Sequence, residues 1–292
     1  MSSQPSPAPS GGGSTTTKKA AGTDLIQRGV YKSNPAGTAT FVGLRALDPL
    51  LQYQILARGW GSSLVTKLGG TTIPLYASGT SSMMHETGVA LLDSVSLPLP
   101  RLILLAMAVG STVKQIFWLL YTSKEEFPPS AAVSVSIYNT VVNSIASLLL
   151  VTAATSAALS TPRVGSSSSG LSVSLPTAVG SVMYVVGMAL ETIPEIQRRN
   201  FKDDPRNKGR ICNEGLWGKA RHINYGGYTL WRTGYALAAG GWTAGLGMAA
   251  WSFWTFAYRS IGIMDEYMSG RYKEQWAQYK TDVPYLLFPG IY

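Results

Sequence analysis

One uncharged stretch decides the fold class, and it reads AAVSVSIYNTVVNSIASLLLVTAATSAAL at residues 131–159. It lies inside a longer run, 127–162, that contains no charged side chain. A helix of about 20 residues is enough to cross a hydrocarbon core of roughly 30 Å. The apolar residues do not alternate with polar ones between turns, as they would in a membrane barrel. The stretch therefore predicts a spanning helix in an all-α protein.

Other apolar segments on either side follow the same rule. Residues 102–121 and 171–190 are each long enough to span. A third uncharged run, 233–258, is divided by Gly240 and Gly241, which favours two tightly packed helices over one. Together these segments predict a polytopic transmembrane helical bundle.

Two weaker segments widen the expected number of spans. Residues 44–60 carry three charges, so this segment either packs inside a bundle or lies at the membrane interface. Residues 87–100 contain Asp93 and two prolines, which suits a broken or re-entrant helix. We expect four to seven spans in total.

The charge distribution argues for a membrane protein and against a nucleic-acid-binding one. Only 13% of the 292 residues are charged, yet the net charge is +9. In a soluble domain, about a quarter of the residues are charged. The loop 193–222 has eight basic residues and four acidic ones. Cytoplasmic loops of membrane proteins are enriched in Lys and Arg, so we expect this loop to face the cytosol.

The remaining organisation follows from composition. Residues 1–23 contain no apolar residue larger than Ala beyond the initial Met, which predicts a disordered tail and no secretory signal. We divide the rest into N-terminal membrane helices, 24–170, and a C-terminal membrane domain, 171–292. One cysteine and two histidines provide no set of ligands at zinc spacing, so we expect no metal site.

A polar cluster stands where the chain re-enters the membrane after the basic loop. Arg221, His222, Asn224 and Tyr225 fall within five residues. Hydrogen-bond donors at a helix start, beside many Lys and Arg, can hold an anionic ligand at the membrane surface. The alternative is that these residues only orient the helix and anchor it at the interface.

Three ordered blocks in this region resemble one family. GLWGKARHINYGGYTLW (215–231) is similar to the signature GLWxxxRHPNYxGE of the steroid 5-alpha-reductase C-terminal-domain family. That family includes sterol C-14 reductases and is related to isoprenylcysteine carboxyl methyltransferases. PEIQRRNFK (194–202) resembles its upstream block, and DEYMSGRYKEQWAQYKTDVPYLLFPGIY (265–292) resembles its closing block. No such resemblance is visible in the first 170 residues.

The resemblance implies an integral-membrane enzyme, in the endoplasmic reticulum, that uses NADPH to reduce a C=C bond of a steroid, sterol or similar lipophilic substrate. Its partners would be that small molecule and the lipid bilayer. The positions that match the motifs, and so would bind the cofactor, are Gln197, Lys202, Trp217, Arg221, His222, Asn224, Tyr225, Glu266, Tyr272, Trp276 and Tyr279.

Two residues are candidates for the proton donor that such a reduction needs. Tyr225 is suited by its chemistry, since a tyrosine hydroxyl donates at neutral pH. Glu86 is the second, because the steroid-reductase branch has a Glu in its N-terminal helices and a buried carboxylic acid can donate. No motif ties Glu86 to that position.

Two departures from the motif keep other readings open. Ile223 replaces the Pro of RHPNY, and Tyr228 stands where the family has a Glu, so Arg221 or Arg232 needs another partner. The alternatives are a methyltransferase that uses S-adenosylmethionine on a membrane substrate, and a non-catalytic membrane protein that retains the fold. The basic cluster favours NADPH, since a dinucleotide rich in phosphate needs more cationic donors than S-adenosylmethionine does.

Overall fold

The structure, a computed structural model, describes residues 29–75, 97–165 and 172–292. The predicted tail 1–23, the candidate Glu86 and most of the segment 87–100 lie outside these residues. The described part is helical almost throughout. Its helices are α1 Pro35–Arg58, α2 Ser62–Lys67, α3 Leu99–Phe117, α4 Pro129–Val151, α5 Leu175–Asp203, α6 Ile223–Thr255, α7 Ile261–Tyr272 and α8 Glu274–Asp282.

Shorter elements join these helices. A π-helical turn, Trp118–Thr122, extends α3, and another, Phe256–Ser260, connects α6 to α7. The strands β1, Arg163–Val164, and β2, Val173–Ser174, form a two-residue antiparallel pair between α4 and α5. Single 3-10 turns lie at Ala157–Leu159, Pro205–Asn207 and Gly215–Gly218. The all-α prediction is therefore confirmed.

The helix boundaries follow from local chemistry. A proline occupies the first turn of α1, α3, α4 and α5, where its missing N–H costs nothing. The side chains of Asn34 and Ser174 cap α1 and α5 by accepting the backbone N–H of Gly37 and Thr177. Helix α1 ends at Gly59, whose φ of 71° is a left-handed conformation that glycine adopts without strain.

Helix α6 is a helical hairpin. Gly240 and Gly241 have non-helical backbone angles, and Gly241 has φ 70°. After them the chain folds back, so that a Cβ added at Gly245 would meet the Cβ of Leu237 at 3.0 Å. Further along, the ring of Phe256 stacks on that of Tyr225 with centroids 4.5 Å apart. The prediction of two tightly packed helices in the run 233–258 is thus confirmed, and we call them the first limb (223–239) and second limb (242–255).

The long helices run between two ends of the bundle. At one end, the start of α1 meets the start of α4, where a Cβ at Gly37 would clash with the carbonyl oxygen of Phe127. At the other end, Thr72, which follows α2, pairs with Thr152, which follows α4. We call the first the loop end, because the basic segment between α5 and α6 lies there.

Helix α5 and the first limb of α6 approach each other closely because glycines line their interface. A Cβ at Gly234 would lie 2.5 Å from the carbonyl oxygen of Gly180, and one at Gly187 would strike the backbone nitrogen of Trp231. Small residues allow backbones to approach in this way, which is the usual packing device of membrane helices. This pair anchors the C-terminal half of the bundle.

Three described helices are long and apolar enough to cross a membrane, judged by length and composition: Leu99–Thr122, Pro129–Val151 and Leu175–Asp203. Helix α1 and the two limbs of α6 run beside them. The expectation of four to seven spans is not tested by these criteria and stays a prediction. Helix α1 packs inside the bundle, one of the two placements expected for 44–60, since Arg45 and Asp48 are fully buried.

A buried polar cluster links α1, α4 and the first limb of α6. Asp48 accepts from Arg45 at 3.1 Å, from Gln52 at 2.9 Å and from Asn143 at 2.6 Å. Arg232 joins from the first limb, where Nη1 donates to Asn143 Oδ1 at 2.8 Å. We refer to these five residues as the inner polar cluster. Such groups are costly at membrane depth unless they are hydrogen-bonded, which explains why they face one another.

Candidate functional site

A cavity of about 570 Å³ opens at the loop end of the bundle. It lies between the end of α5, the segment 204–222, the first turn of α6, and helices α7 and α8, and the turn after α3 closes one side. Its size is within the range of small-molecule and cofactor sites. Nine motif residues identified from the sequence line it: Lys202, Trp217, Arg221, His222, Asn224, Tyr225, Tyr272, Trp276 and Tyr279.

The lining is strongly basic. Seven cationic side chains contribute to it, against one carboxylate, Glu125. The cations are Lys124, Arg198, Arg199, Lys202, Lys208, Arg221 and Arg271. Some are partly compensated from outside the lining: Arg198 pairs with Glu195 at 2.5 Å and Arg199 with Asp203 at 3.5 Å. The remaining positive excess favours a ligand with several negative charges.

Arg221 binds backbone carbonyls in place of a carboxylate. Its Nη1 donates to the carbonyl oxygens of Lys280 and Val283, both at 3.0 Å, so it ties the C-terminal segment to the start of α6. Its Nε is buried and has no hydrogen-bond partner. Desolvation by burial lowers the pKa of this guanidinium, although it stays charged. Backbone carbonyls therefore take the place of the lost motif acid as partners of Arg221. Its Nε is left as a donor for a ligand.

His222 is a neutral ring inside an aromatic stack. It lies 5.4 Å from the ring of Tyr225, and Tyr225 in turn stacks on Phe256 at 4.5 Å. Burial, assisted by the positive charge of Arg221, lowers the pKa of His222 to about 4. His222 therefore adds no positive charge near pH 7. It provides a flat surface and one hydrogen-bonding nitrogen of each kind.

Asn224 and Glu195 connect the motif to α5. Asn224 Nδ2 donates to Glu195 Oε1 at 2.9 Å, and Arg198 Nη2 donates to the second oxygen of the same carboxylate at 2.5 Å. Glu195 is buried, so its charge is compensated by these two donors. The contact fixes the first turn of α6 against the end of α5.

Trp217 and Tyr279 combine a lining role with a structural one. Trp217 Nε1 donates to the carbonyl of Pro194 at 2.7 Å, and the Tyr279 hydroxyl donates to the carbonyl of Trp217 at the same distance. Burial raises the pKa of Tyr279, so its hydroxyl stays protonated. These bonds hold α8 and the turn Gly215–Gly218 against α5.

Tyr272 meets Lys202 at the cavity rim. Lys202 Nζ donates to the Tyr272 hydroxyl at 3.1 Å. Although burial alone would raise the pKa of Tyr272, the positive charges of Lys202 and Arg271 lower it. The pair brings a cation and a polarised hydroxyl into the lining from two separate motif blocks.

Two of the described candidates from the sequence do not line the cavity. Gln197 lies outside the cavity lining, where its Oε1 accepts the backbone N–H of Leu216 at 3.0 Å. Glu266 is exposed on α7, and its neighbour Asp265 makes the contacts instead, accepting from Trp276 Nε1 at 2.8 Å and Lys280 Nζ at 3.3 Å. Gln197 therefore supports the site from outside. Glu86 is outside the described residues.

Sequence reasoning missed several lining residues. Trp118, Lys124 and Glu125 follow the apolar run of α3, and Tyr267 and Arg271 precede Tyr272 on α7. A signal for the first group was present: basic and aromatic residues directly after a span, on the same side as the basic loop. A π-helical turn, Trp118–Thr122, contains Trp118 and precedes the other two residues of this group, and such turns often mark functional sites.

A carboxylate from another helix lies near the position of the lost motif acid. The backbone of Glu191 on α5 packs against Gly227, directly before Tyr228, since a Cβ added at Gly227 would lie 2.4 Å from the Glu191 nitrogen. One of its oxygens accepts from Trp231 Nε1 at 2.5 Å, and the other forms an ion pair with Lys114 of α3. Lys114 therefore faces the bundle interior, where this carboxylate compensates its charge.

The helical bundle and its basic aromatic cavity define an all-α membrane protein with a cavity of cofactor size at one end. Residues 132–283, just over half of the chain, match a family described as "Protein of unknown function (DUF1295)". The chain belongs to that family, which is related to the steroid 5-alpha-reductase-like proteins.

Similarity to curated proteins divides between two activities. The "Probable O-methyltransferase ustE" of Ustilaginoidea virens is 34% identical over 249 residues, which cover 85% of this chain and 84% of that protein. The 7-dehydrocholesterol reductase of Xenopus laevis is 33% identical over 91 residues, which are 31% of this chain and 19% of that enzyme. A probable 7-dehydrocholesterol reductase of Acanthamoeba polyphaga mimivirus is 32% identical over a similar share. The relatives therefore agree on the family and differ in the reaction.

Proposed function

We propose that this protein is an integral-membrane reductase that binds NADPH in the loop-end cavity and saturates a C=C bond of a steroid, sterol or similar lipophilic substrate. The observation that carries the proposal is the cavity lining, in which seven cations stand against one carboxylate, and Glu195 and Asp203 compensate part of that charge from outside. A ligand with several phosphate charges suits that lining better than one that is nearly neutral overall.

The residues of the cavity fit such a cofactor in two further respects. The buried Nε of Arg221 has no partner, and a phosphate oxygen would accept from it. His222 and Tyr225 add stacked aromatic rings to the lining, and Phe256 supports the ring of Tyr225. Lys202 and Arg221 would hold phosphate, Asn224 would fix the start of α6, and Trp276 would support the ring of His222.

The chemistry needs a hydride and a proton. When bound, reduced nicotinamide supplies the hydride to one carbon of the double bond. The Tyr225 hydroxyl, placed in the cavity lining at the first turn of α6, supplies the proton to the other carbon or to a conjugated carbonyl oxygen. Glu86 remains the alternative proton donor.

The second candidate function is methyl transfer from S-adenosylmethionine. The specific observation in its favour is the similarity to the probable O-methyltransferase, which covers 85% of this chain, whereas the reductases match 31% of it. In that case the same cavity would bind a smaller, less anionic cofactor. Placement in the endoplasmic reticulum, with the loop 193–222 in the cytosol, belongs to the proposal under either reaction.

Cofactor binding by detergent-purified protein separates these functions. We would titrate NADPH, NADH and S-adenosylmethionine separately by calorimetry into the full chain. Saturable binding of NADPH in preference to the other two is expected. Preference for S-adenosylmethionine would replace the reductase by the methyltransferase, and binding of none of the three would support a protein that keeps the fold without the chemistry.

A further inference from the structure

A second cavity lies in the side of the bundle, well away from the loop end. Its volume is about 200 Å³, and it is bounded by α4 and both limbs of α6. None of its lining residues is shared with the loop-end cavity. Arg232 is nine residues into the first limb, about 14 Å along the helix axis from Ile223, so this groove lies near the middle of a membrane core.

The walls of the groove are apolar, with two exceptions. Val142, Leu149 and Met248 are typical of the walls, and Trp251 closes one edge. The exceptions are Arg232 and Tyr235, both on the first limb and both about 1% exposed. An apolar molecule would be buried by the walls, and its polar end would meet these two side chains.

The Tyr235 hydroxyl lacks an acceptor, and the inner polar cluster lacks a second negative charge. The hydroxyl of Tyr235 is buried and has no hydrogen-bond partner. Among the charged residues of the inner polar cluster, Arg45 pairs with the single carboxylate Asp48, whereas Arg232 donates to the neutral amide of Asn143, so one positive charge is left in excess. A buried excess charge and an unpaired donor are both expensive at membrane depth. An oxygen acceptor that carries a negative charge would compensate both.

We propose that this lateral groove is a binding site for an apolar molecule that ends in a carboxylate, such as a long-chain fatty acid taken up from the bilayer. The carboxylate accepts from the Tyr235 hydroxyl and is held by the charge of Arg232. The hydrocarbon chain lies between α4 and the second limb of α6. This site is additional to the loop-end cavity and does not depend on the reaction proposed for it.

The chain offers a matched pair of variants to test the site. A Cβ added at Gly247, on the groove wall, would meet no atom within 4 Å, so Gly247→Phe fills the groove without strain. Gly43 on α1 is an equally open helical glycine outside the groove, so Gly43→Phe is the control. Tyr235→Phe removes the hydroxyl alone.

The measurement is saturable binding of tritiated palmitate to purified full-length protein in a scintillation proximity assay, with excess unlabelled palmitate to define the specific signal. Wild type and Gly43→Phe should bind equally. Gly247→Phe should lose at least tenfold in affinity, and Tyr235→Phe about five- to tenfold, because one buried hydrogen bond to a charged group is lost. Thermal unfolding of each variant confirms that it is folded.

Competition identifies the chemistry of the head group. Unlabelled palmitate should displace the label, and methyl palmitate, which has the same chain without the charge, should compete at least tenfold less well. Equal competition would overturn the carboxylate assignment. Absence of saturable binding to wild type, or unchanged binding by Gly247→Phe, would overturn the site itself. NADPH binding in the same samples reports separately on the loop-end cavity.

Discussion

At the scale of single residues, Arg221 shows how a motif position acquires its role from its surroundings. The sequence identified it as a cation that needed another partner, because the motif acid is replaced by Tyr228. The structure gives it two carbonyls of the C-terminal segment and leaves Nε as a buried donor. Arg221 therefore stabilises the C-terminal segment through Nη1, and its Nε remains available to donate to a phosphate oxygen.

Substituting Arg221 tests the proposed cofactor site directly. Arg221→Ala should weaken NADPH binding by more than about 1.5 kcal/mol, since a charge-assisted hydrogen bond is worth up to about 3 kcal/mol. Arg206→Ala is the control, because Arg206 belongs to the same basic loop but is highly exposed and does not line the cavity. Calorimetric titration gives both affinities.

Because Arg221 also anchors the C-terminal segment, a second variant is required. Arg221→Gln keeps an amide donor for the carbonyls while it removes the charge. A folded Arg221→Gln protein whose NADPH affinity equals that of wild type would refute the proposed role of Arg221.

His222 predicts a pH dependence of stability. Its pKa of about 4 in the folded protein lies below the ordinary value of 6.5. Between these values the unfolded chain takes up a proton that the folded protein does not, so the free energy of unfolding falls as pH decreases from 6.5 to 4. The pKa shift of His222 changes the free energy of unfolding by roughly 3 kcal/mol over this range, and the full stability is present only above pH 6.5.

The measurement is the free energy of unfolding in detergent across that pH range. His222→Phe keeps a flat ring for the stack with Tyr225 but cannot be protonated. Its stability should change less steeply with pH than that of wild type. Equal slopes for the two proteins would show that His222 is not the titrating group.

At the scale of elements, the glycine-lined interface between α5 and the first limb of α6 brings two backbones into close contact. Periodicity predicted the two helices but gave no sign that their backbones approach so closely. The packing fixes the start of α6, and with it the motif residues, relative to the end of α5. The position of the cavity is therefore a consequence of this interface.

A pair of alanine substitutions separates packing from helix propensity. Gly234→Ala would place a Cβ 2.5 Å from the carbonyl oxygen of Gly180, so the helices must move apart. We expect a loss of about 1 to 3 kcal/mol, the usual cost of overpacking. Gly43→Ala adds the same methyl group in open space and should stabilise the protein by up to about 1 kcal/mol.

Thermal unfolding in detergent reports both effects as opposite changes in Tm. If both variants raised Tm, the close approach of α5 and α6 would have no energetic significance.

At the scale of the whole molecule, the fold places two different cavities at two depths of one helical bundle. The loop end collects charge and aromatic rings in a cavity of about 570 Å³. The middle of the bundle holds the inner polar cluster and the lateral groove. The first limb of α6 contributes to both, with Tyr225 at one depth and Arg232 about two turns deeper.

The direction of the helices predicts the sidedness of the protein. Lys208 belongs to the loop end, whereas Thr161 lies at the opposite end, after α4. In a Cys212→Ser background, Lys208→Cys should react with a membrane-impermeant maleimide only after the plasma membrane is selectively permeabilised. Thr161→Cys should require permeabilisation of the internal membrane as well. The same labelling pattern for both positions would contradict the proposed topology.

The sequence by itself determined the helical membrane class, the hairpin at Gly240 and Gly241, and most of the motif residues of the loop-end cavity. These depend on local properties: the length of uncharged runs, the conformational freedom of glycine, and residue types at fixed spacing. Only the tertiary structure decided which side chains meet. Gln197 lies outside the cavity lining, and Asp265 makes the contacts that the sequence assigned to Glu266. Arg221 binds backbone carbonyls. The lateral groove forms where three separate helical segments meet. Contacts between residues far apart in sequence depend on how helices pack, and hydrophobic periodicity specifies the buried face of a helix but not the neighbour that covers it.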